Sequence, residues 1–144
     1  MNGTTMSKVH VTRFTFEFGD CDPAGIVFYP NYLRWMDAAS LHFVRAMGVP
    51  PWREFEAQTG ILGTPVVDVS ARFLRPASYG DAIDVETTIS EWRGKSFVFR
   101  HVIRRGGDVL VEGEEVRVFA RRHPQDPMRI QAVAAPESFR KACE

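Results

Sequence analysis

The sequence predicts an α+β domain in which one long helix packs against an antiparallel sheet. Three observations support this class: an alternating strand near the N-terminus, a single helix that is apolar around most of its circumference, and four later strand-like segments. The connections between those later segments are too short for a crossover helix, so consecutive strands must run antiparallel. The 144 residues are enough for one hydrophobic core but not for two. We therefore expect one domain over residues 1–144.

The first strand is predicted from His10 to Phe18, where the side chains alternate with the period of two that is typical of a half-buried strand. Its aromatic face, formed by Phe14, Phe16 and Phe18, should pack against the helix. Residues 1–8 precede this strand and are expected to be flexible.

The long helix is predicted from Asn31 to Met47, because Gly48 and Pro50-Pro51 are typical helix stop signals. Apolar residues lie on most of its sides, which indicates burial on several sides, as by a surrounding sheet. Arg34 and Asp37 are spaced to pair with each other on the helix surface. We interpret Asp37 as a mainly structural residue.

The rest of the chain is predicted as a short second helix and four strands, joined by turns rich in glycine, proline and aspartate. A C-terminal tail over residues 123–144 should add only a short extension and a last helical turn. The second helix is expected over Pro51–Thr59, the strands over Ile61–Leu74, Ala82–Trp92, Ser96–Arg105 and Val109–Arg122, the extension near Arg129–Val133 and the last turn over Glu137–Ala142.

The composition limits the classes of function. Hydrophobic residues make up 44% of the chain and charged residues 25%, as in an ordinary globular protein. Eighteen basic and eighteen acidic side chains give a formal net charge of zero, which argues against a general nucleic-acid or membrane-surface binder. No apolar run resembles a membrane span and residues 1–8 lack the apolar region of a signal peptide, so we expect a cytoplasmic protein. The two cysteines are too few for a disulfide framework.

Candidate chemistry is concentrated in the turn between the first strand and the long helix. Asp22 is pushed to extended geometry by the Pro23 that follows it, and Gly25 permits a conformation that other residues resist. The first N–H groups of a helix that starts near Pro30 have no partner within the helix and carry partial positive charge. A carboxylate close to such a helix start suits attack on a carbonyl group. From the spacing alone, an ordinary turn with Asp22 as a turn or cap residue explains the same pattern.

A second local signal is a basic stretch between Glu91 and Asp108 that contains no acidic residue. Such a stretch suits a phosphate-rich ligand, because arginine can hold phosphate with two parallel hydrogen bonds. A solvated strand face explains it equally well. The basic residues are Arg93, Lys95, Arg100, Arg104 and Arg105.

Other chemistries find little support in the sequence. A nucleophilic role for Cys21 is disfavoured, because the neighbouring carboxylates of Asp20 and Asp22 oppose a thiolate. The sequence has no Gly-x-Ser-x-Gly elbow, phosphate loop or dinucleotide fingerprint. Its four histidines show no metal-ligand spacing, so we expect no metal site.

Several of these residues also form a family pattern. The segments that carry it are Phe18-Gly19-Asp20-Cys21-Asp22-Pro23-Ala24-Gly25-Ile26-Val27, Pro30-Asn31-Tyr32, Trp35, Asp37-Ala38-Ala39-Ser40, Gly63-Thr64-Pro65, Glu91-Trp92-Arg93 and Lys95-Ser96-Phe97-Val98. From about Phe14 to Phe119, the chain closely resembles the 4-hydroxybenzoyl-CoA thioesterase branch of the hotdog-fold acyl-CoA thioesterases. The Asp-x-Asp-x-x-Gly-x-Val core indicates the wider family, and the additional matches indicate the aryl-CoA branch.

The resemblance implies a hotdog fold, in which a long helix is wrapped by an antiparallel sheet, in homodimers or homotetramers with active sites at a dimer interface. It implies hydrolysis of an aromatic acyl-CoA, such as 4-hydroxybenzoyl-CoA, to the free acid and coenzyme A without a metal or redox cofactor. The family's catalytic carboxylate carries over to Asp22, as nucleophile or general base, and its carbonyl-polarising backbone N–H to Tyr29. Its nucleotide-binding basic residues carry over to Arg93 and Lys95, although Gly94 departs from an expected second arginine.

Three alternatives remain open at this point. Short or branched aliphatic acyl-CoA thioesters are alternative substrates. A non-catalytic acyl-CoA-binding module of the same fold is a second alternative, against which the intact Asp22 counts. A dehydratase on this fold would need a histidine as general base, whereas this turn offers Asp22 and apolar neighbours.

Overall fold

The computed structural model describes residues 7–144, which form seven strands and three α-helices. The predicted α+β class is confirmed. Flexibility was expected for residues 1–8, of which residues 1–6 lie outside the described part of the chain. The elements are β1 (His10–Thr15), a short 3-10 helix (Phe18–Asp20), α1 (Pro30–Ala46), α2 (Trp52–Thr59), β2 (Ile61–Gly63), β3 (Val66–Phe73), β4 (Ala82–Trp92), β5 (Ser96–Arg105), β6 (Asp108–His123), β7 (Asp126–Val133) and α3 (Glu137–Cys143).

The seven described strands form one antiparallel sheet organised around β6, which is 16 residues long. The strand order begins β1-β4-β5-β6. On its other side β6 pairs with β3 and β2, and its C-terminal part also pairs with β7. Within residues 7–144, β1 pairs only with β4 and β3 only with β6, so each leaves one backbone edge open. Within the same residues, no helix is both long and apolar enough to cross a lipid bilayer.

Helix α1 lies against the inner face of this sheet and approaches β6 closely. A Cβ atom added to Gly113 of β6 would lie 2.6 Å from Met36 Cε and 3.2 Å from the carbonyl oxygen of Ser70. Only a glycine therefore lets Met36 pack this close to β6 without a rearrangement. The buried residues of α1 are Tyr32, Trp35, Met36, Ala39, Ser40, Phe43 and Val44.

The hydrophobic core has two clusters, which follow one another along α1. The N-terminal half of α1 packs with Phe16 and the starts of β4 and β6. The C-terminal half packs with phenylalanines of β5, β6 and α3, together with α2. One face of the helix is thus buried along its whole length, whereas burial on several sides was predicted; Arg34, Asp37, Leu41 and Arg45 lie on an exposed face.

Three boundaries differ from the predictions. Phe18 leaves the first strand, because the N–H of Glu17 donates to Asp20 Oδ2 at 2.8 Å and a 3-10 turn closes; its side chain is 77% exposed and not part of the inner face. The segment predicted as one strand over Ile61–Leu74 is broken at Thr64-Pro65, since proline has no N–H for the ladder. The tail forms a full strand, β7, paired with β6.

Candidate active site

Asp22 lies at the start of a tight turn that begins at Cys21 and ends at Val27, which form an isolated antiparallel bridge. The N–H of Asp22 donates to the carbonyl of Ile26, and the N–H of Gly25 donates to the carbonyl of Asp22, both at 2.9 Å. Gly25 has a φ of 80°, a conformation that favours glycine. Asp22 Oδ1 accepts the N–H of Ala24 at 2.9 Å. None of the hydrogen bonds among residues 7–144 uses Asp22 Oδ2, so one carboxylate oxygen is free.

This turn, residues 21–27, is held in place from the loop between β3 and β4. The N–H of Val27 donates to the carbonyl of Ala77 at 2.9 Å, and the hydroxyl of Ser78 donates to the carbonyl of Gly25 at 2.7 Å. Val27 is buried and is the turn's apolar anchor in the core. The turn is therefore fixed by two hydrogen bonds and by the packing of Val27, with Cys21 partly buried against the same core.

Tyr29 directly precedes α1, and its N–H takes part in none of the hydrogen bonds formed by the described residues. The next residue, Pro30, has no N–H, and the N–H of Asn31 is already used by the carbonyl of Phe28 at 3.0 Å. Tyr29 thus presents the free N–H at the positive end of the helix dipole. Such a donor can stabilise the oxyanion that forms when a carbonyl is attacked.

Two cavities adjoin this junction of turn and helix. One, of about 270 Å³, has a largely apolar and aromatic wall, and the other, of about 430 Å³, borders Asp22. The first is lined by Ile26, Val27, Tyr29, Tyr32, Phe73, Leu74, Arg75 and Pro76, and the second by Phe18, Cys21, Asp22, Pro23, Gly25 and Tyr79. The structure therefore places Asp22 and Tyr29 beside neighbouring spaces that a substrate can enter.

Arg93 and Lys95 lie at the hairpin between β4 and β5, and both are exposed. Arg93 forms a 2.8 Å ion pair with Glu91, and this hydrogen bond raises the pKa of Arg93 and lowers that of Glu91. The turn that carries Asp22 lies near the start of β4, because the N–H of Phe16 donates to the carbonyl of Asp81, which directly precedes β4. The 11 residues of β4 place the hairpin about 30 Å away. One chain does not bring these basic residues next to Asp22.

A buried polar network separates the two apolar clusters, and sequence reasoning missed it. His101 Nε2 lies 2.8 Å from Glu115 Oε1 and 3.1 Å from Ser40 Oγ, and Thr87 Oγ1 lies 2.9 Å from His101 Nδ1. Ser40 also donates to Glu115. The alternation of side chains along β6 could have indicated that these charged residues are buried, because Glu115 and Arg117 fall on its inward-facing positions. Their partners lie far away in sequence and could not be read from it.

Arg117 links this network to α1. Its guanidinium donates to Glu115 Oε2 at 2.9 Å, to Asp37 Oδ1 at 2.8 Å and to the carbonyl of Thr64 at 2.7 Å. The predicted pairing of Arg34 with Asp37 is therefore wrong. The sheet brings Arg117 to the side of the helix that carries Asp37, so Asp37 pairs with Arg117. Arg34 instead lies 3.5 Å from Asp20.

Glu115 is an ionised carboxylate inside the core. Burial alone would raise its pKa, but the hydrogen bond from His101 and the charge of Arg117 outweigh burial, and the pKa is lowered. A cavity of about 150 Å³ adjoins this network. Its walls include Asp37, Ser40, Leu41, Val44, Trp52, Thr64, Phe99 and Arg117.

The cysteines and acidic residues offer little other chemistry. Cys143 is buried, and burial raises its pKa to about 12, which leaves an unreactive thiol. Among residues 7–144, no group of three or more histidine, cysteine, aspartate or glutamate side chains is arranged to hold a metal ion. The junction of Asp22 and Tyr29 is thus the candidate active site.

A long helix wrapped by an antiparallel sheet, with a carboxylate turn at the start of that helix, characterises the hotdog-fold thioester hydrolases. Comparison with known proteins agrees. A family model described as the thioesterase-like superfamily matches residues 16–143. The chain belongs to this superfamily, and the predicted hotdog fold and thioesterase class are confirmed.

Individual relatives narrow the comparison. The chain is 48% identical to a 4-hydroxybenzoyl-CoA thioesterase of Pseudomonas sp. (strain CBS-3), over 96% of this chain and 99% of that protein. It is 25% identical to a putative acyl-CoA thioesterase of Bacillus subtilis (strain 168), over 85% and 89% of the two chains. A solved structure of a 4-hydroxybenzoyl-CoA thioesterase, with an aspartate replaced by asparagine and 4-hydroxybenzoyl-CoA bound, superposes with a TM-score of 0.86 at 43% identity, over 94% of this chain and 99% of that one. A gentisyl-coenzyme A thioesterase superposes with a TM-score of 0.76 at 36% identity, over 93% and 98%.

Proposed function

We propose that this protein hydrolyses an aromatic acyl-CoA, with 4-hydroxybenzoyl-CoA as the foremost candidate, to the free acid and coenzyme A. The observation that carries this proposal is the junction of turn and helix, where the free N–H of Tyr29 adjoins an aromatic-lined cavity and a free oxygen of Asp22 borders a second cavity at the same turn. These are the two groups that acyl transfer needs, a nucleophile or base and an oxyanion donor.

Asp22 can act in either of two ways. As a nucleophile, its free oxygen attacks the thioester carbonyl carbon, and the oxyanion that forms accepts the Tyr29 N–H. Loss of the coenzyme A thiolate then leaves a mixed anhydride on Asp22, which water hydrolyses to the free acid. As a general base, Asp22 takes a proton from water, and the hydroxide oxygen attacks the same carbon. In both routes the Tyr29 N–H stabilises the same charge.

An aromatic acyl group fits the cavity beside Tyr29. Its walls include the rings of Tyr29, Tyr32 and Phe73, and aromatic rings favour edge and offset contacts with one another. Two relatives above 35% identity, named for 4-hydroxybenzoyl-CoA and gentisyl-coenzyme A, also act on ring-bearing thioesters. These observations favour an aryl substrate over the aliphatic alternatives.

The coenzyme A part of the substrate is proposed to contact Arg93 and Lys95 of a second copy. The hairpin that carries them lies about 30 Å from the catalytic end of its own sheet, farther than the pantetheine arm reaches. Strand β3 supports pairing of two copies: its outer backbone edge is open, and Val67 and Phe73 are 59% and 49% exposed. We infer a homodimer that shares its active sites, or a homotetramer built from two such dimers.

The test is thiol release from a panel of aryl and aliphatic acyl-CoA thioesters by the wild type and Asp22→Asn. The substitution keeps the shape of the side chain but removes the basic oxygen, so turnover should fall by about 100-fold to 10,000-fold. Asp84→Asn, on the outer face of the sheet, is the matched control and should keep its turnover. Aryl-selective release that disappears only in Asp22→Asn supports the proposal. Sustained release by that variant would remove Asp22 from the mechanism.

A further inference from the structure

The turn that carries Asp22 is tied to α1 by the side chain of Asn31. Asn31 Nδ2 donates a partly buried hydrogen bond of 2.8 Å to the carbonyl oxygen of Asp20. The same oxygen accepts the N–H of Phe28 at 2.9 Å. Both lone pairs of this carbonyl are therefore occupied by the segment that leads into the helix.

These contacts close a loop around the reacting groups. Asp22 follows Asp20 by two residues, and Tyr29 precedes Asn31 by two residues. The carboxylate and the free N–H therefore lie inside a loop whose ends are joined by the Asn31 side chain and by the N–H of Phe28. The hydrogen bond of Ser78 fixes the turn to the loop between β3 and β4. It therefore does not set the distance between the turn and the start of α1.

A second side chain of α1, that of Arg34, also contacts Asp20, but it constrains the position of the turn less strongly than Asn31 does. Arg34 lies 3.5 Å from Asp20 Oδ1, and its side chain is 67% exposed. An exposed ion pair at this distance is screened by water and constrains geometry weakly. Of these two side chains, Asn31 is the stronger constraint on the distance between turn and helix, and it adds to the backbone hydrogen bond from Phe28.

We propose that Asn31 is a positioning residue for thioester hydrolysis, which sets the separation between the Asp22 carboxylate and the Tyr29 N–H. The inference rests on the proposed roles of those two groups. A displacement of reacting groups by about 1 Å can lower a rate by about 100-fold. A hydrogen bond that contributes little to the stability of the fold can therefore matter greatly for turnover.

Two substitutions separate this role from a merely structural one. Asn31→Asp keeps the size of the side chain and adds negative charge in the first turn of α1, where the helix dipole favours it, so the fold should be retained. Its carboxylate cannot donate to the Asp20 carbonyl. Asn31→Ala removes the donor without adding charge. Ser90→Ala is the matched control, because it removes another partly buried bond from a side chain to a carbonyl, that of Ser90 to Val98.

The measurements are kcat and KM for 4-hydroxybenzoyl-CoA, the affinity for a thioether analogue that cannot be hydrolysed, and the unfolding temperature. In both Asn31 variants kcat should fall by about 10-fold to 100-fold, while KM and the analogue's Kd stay within about threefold of wild type. Ser90→Ala should match the wild type. The proposal is overturned if a folded Asn31 variant keeps wild-type kcat, or if lost activity only follows a lost folded fraction.

Measuring Asp22→Asn in parallel distinguishes failure of the proposed function from failure of the positioning role of Asn31. If Asp22→Asn keeps its turnover, the proposed function itself is wrong at this site. If Asp22→Asn loses turnover while both folded Asn31 variants keep it, only the positioning role of Asn31 is refuted.

Discussion

Replacing Arg117 with methionine should destabilise the fold far more than removing an arginine from its surface. The guanidinium of Arg117 donates to Glu115, Asp37 and the carbonyl of Thr64 at 2.7 to 2.9 Å. Methionine keeps an unbranched apolar side chain of similar reach but supplies no donor or charge. The perturbation thus removes one cation, which is the charged partner of two carboxylates, Asp37 and Glu115.

The two carboxylates respond differently, and their exposure determines the magnitude. The Asp37 side chain is 68% exposed, so water replaces Arg117 there, and the loss is at most about 1 kcal/mol. The Glu115 side chain is only 3% exposed and cannot be hydrated. Removing one partner of a buried ion pair costs about 3–5 kcal/mol, and Glu115 then keeps only its hydrogen bonds from His101 and Ser40. The free energy of unfolding should therefore fall by about 3–5 kcal/mol, most of it through Glu115.

Urea unfolding at one fixed protein concentration measures this loss, because any pairing of copies would make stability depend on concentration. Arg104→Met is the matched control: Arg104 pairs with Glu86 at 3.0 Å, but both side chains are more than a third exposed. Adding Glu115→Gln to Arg117→Met removes the stranded charge and should restore part of the stability. Equal effects of Arg117→Met and Arg104→Met would refute the reasoning.

Two further predictions concern acid stability and coenzyme binding. Because the pKa of Glu115 is lowered on folding, its contribution is complete above the ordinary value of 4.5 and is lost as the pH falls through the folded pKa. Urea midpoints measured across that range should show this loss in the wild type, and Glu115→Gln should lack it; an equal acid response would contradict the assignment. Lys95→Gln should raise KM for the acyl-CoA and weaken the salt dependence of KM, while kcat stays unchanged. Arg93→Gln should change KM less, because Arg93 is already paired with Glu91. Steady-state kinetics at two salt concentrations test this, and an unchanged KM in both variants would exclude the hairpin from binding.

Local patterns were sufficient to predict most of the fold. The bounds of β4 and β5 match the predicted segments, since alternation and flanking turns define a strand within its own sequence. The stop signals at Gly48 and Pro50-Pro51 placed the end of α1 within one residue. The turn around Asp22 was also visible, because proline and glycine at fixed positions restrict the backbone directly.

Contacts between distant segments could not be predicted in this way. Arg34 and Asp37 have the spacing of a helical ion pair, yet Asp37 pairs with Arg117, 80 residues away. The sheet decides this pairing, because β6 brings Arg117 to the inner face beside the helix. In the same way, β7 became a full strand only because β6 extends far enough to pair with it.

The two principal carboxylates of this protein show why its turn depends on hydrogen bonds. Glu115 is buried, so packing fixes its position, and the surrounding donors occupy its oxygens. In the proposed mechanism Asp22 keeps one oxygen free for the substrate, which excludes it from the packed core and from such a set of donors. Only Val27, with the partly buried Cys21, anchors its turn in the core, and packing does not define the remaining geometry. Backbone carbonyls held by Asn31 and Ser78 supply that definition while they leave the carboxylate accessible.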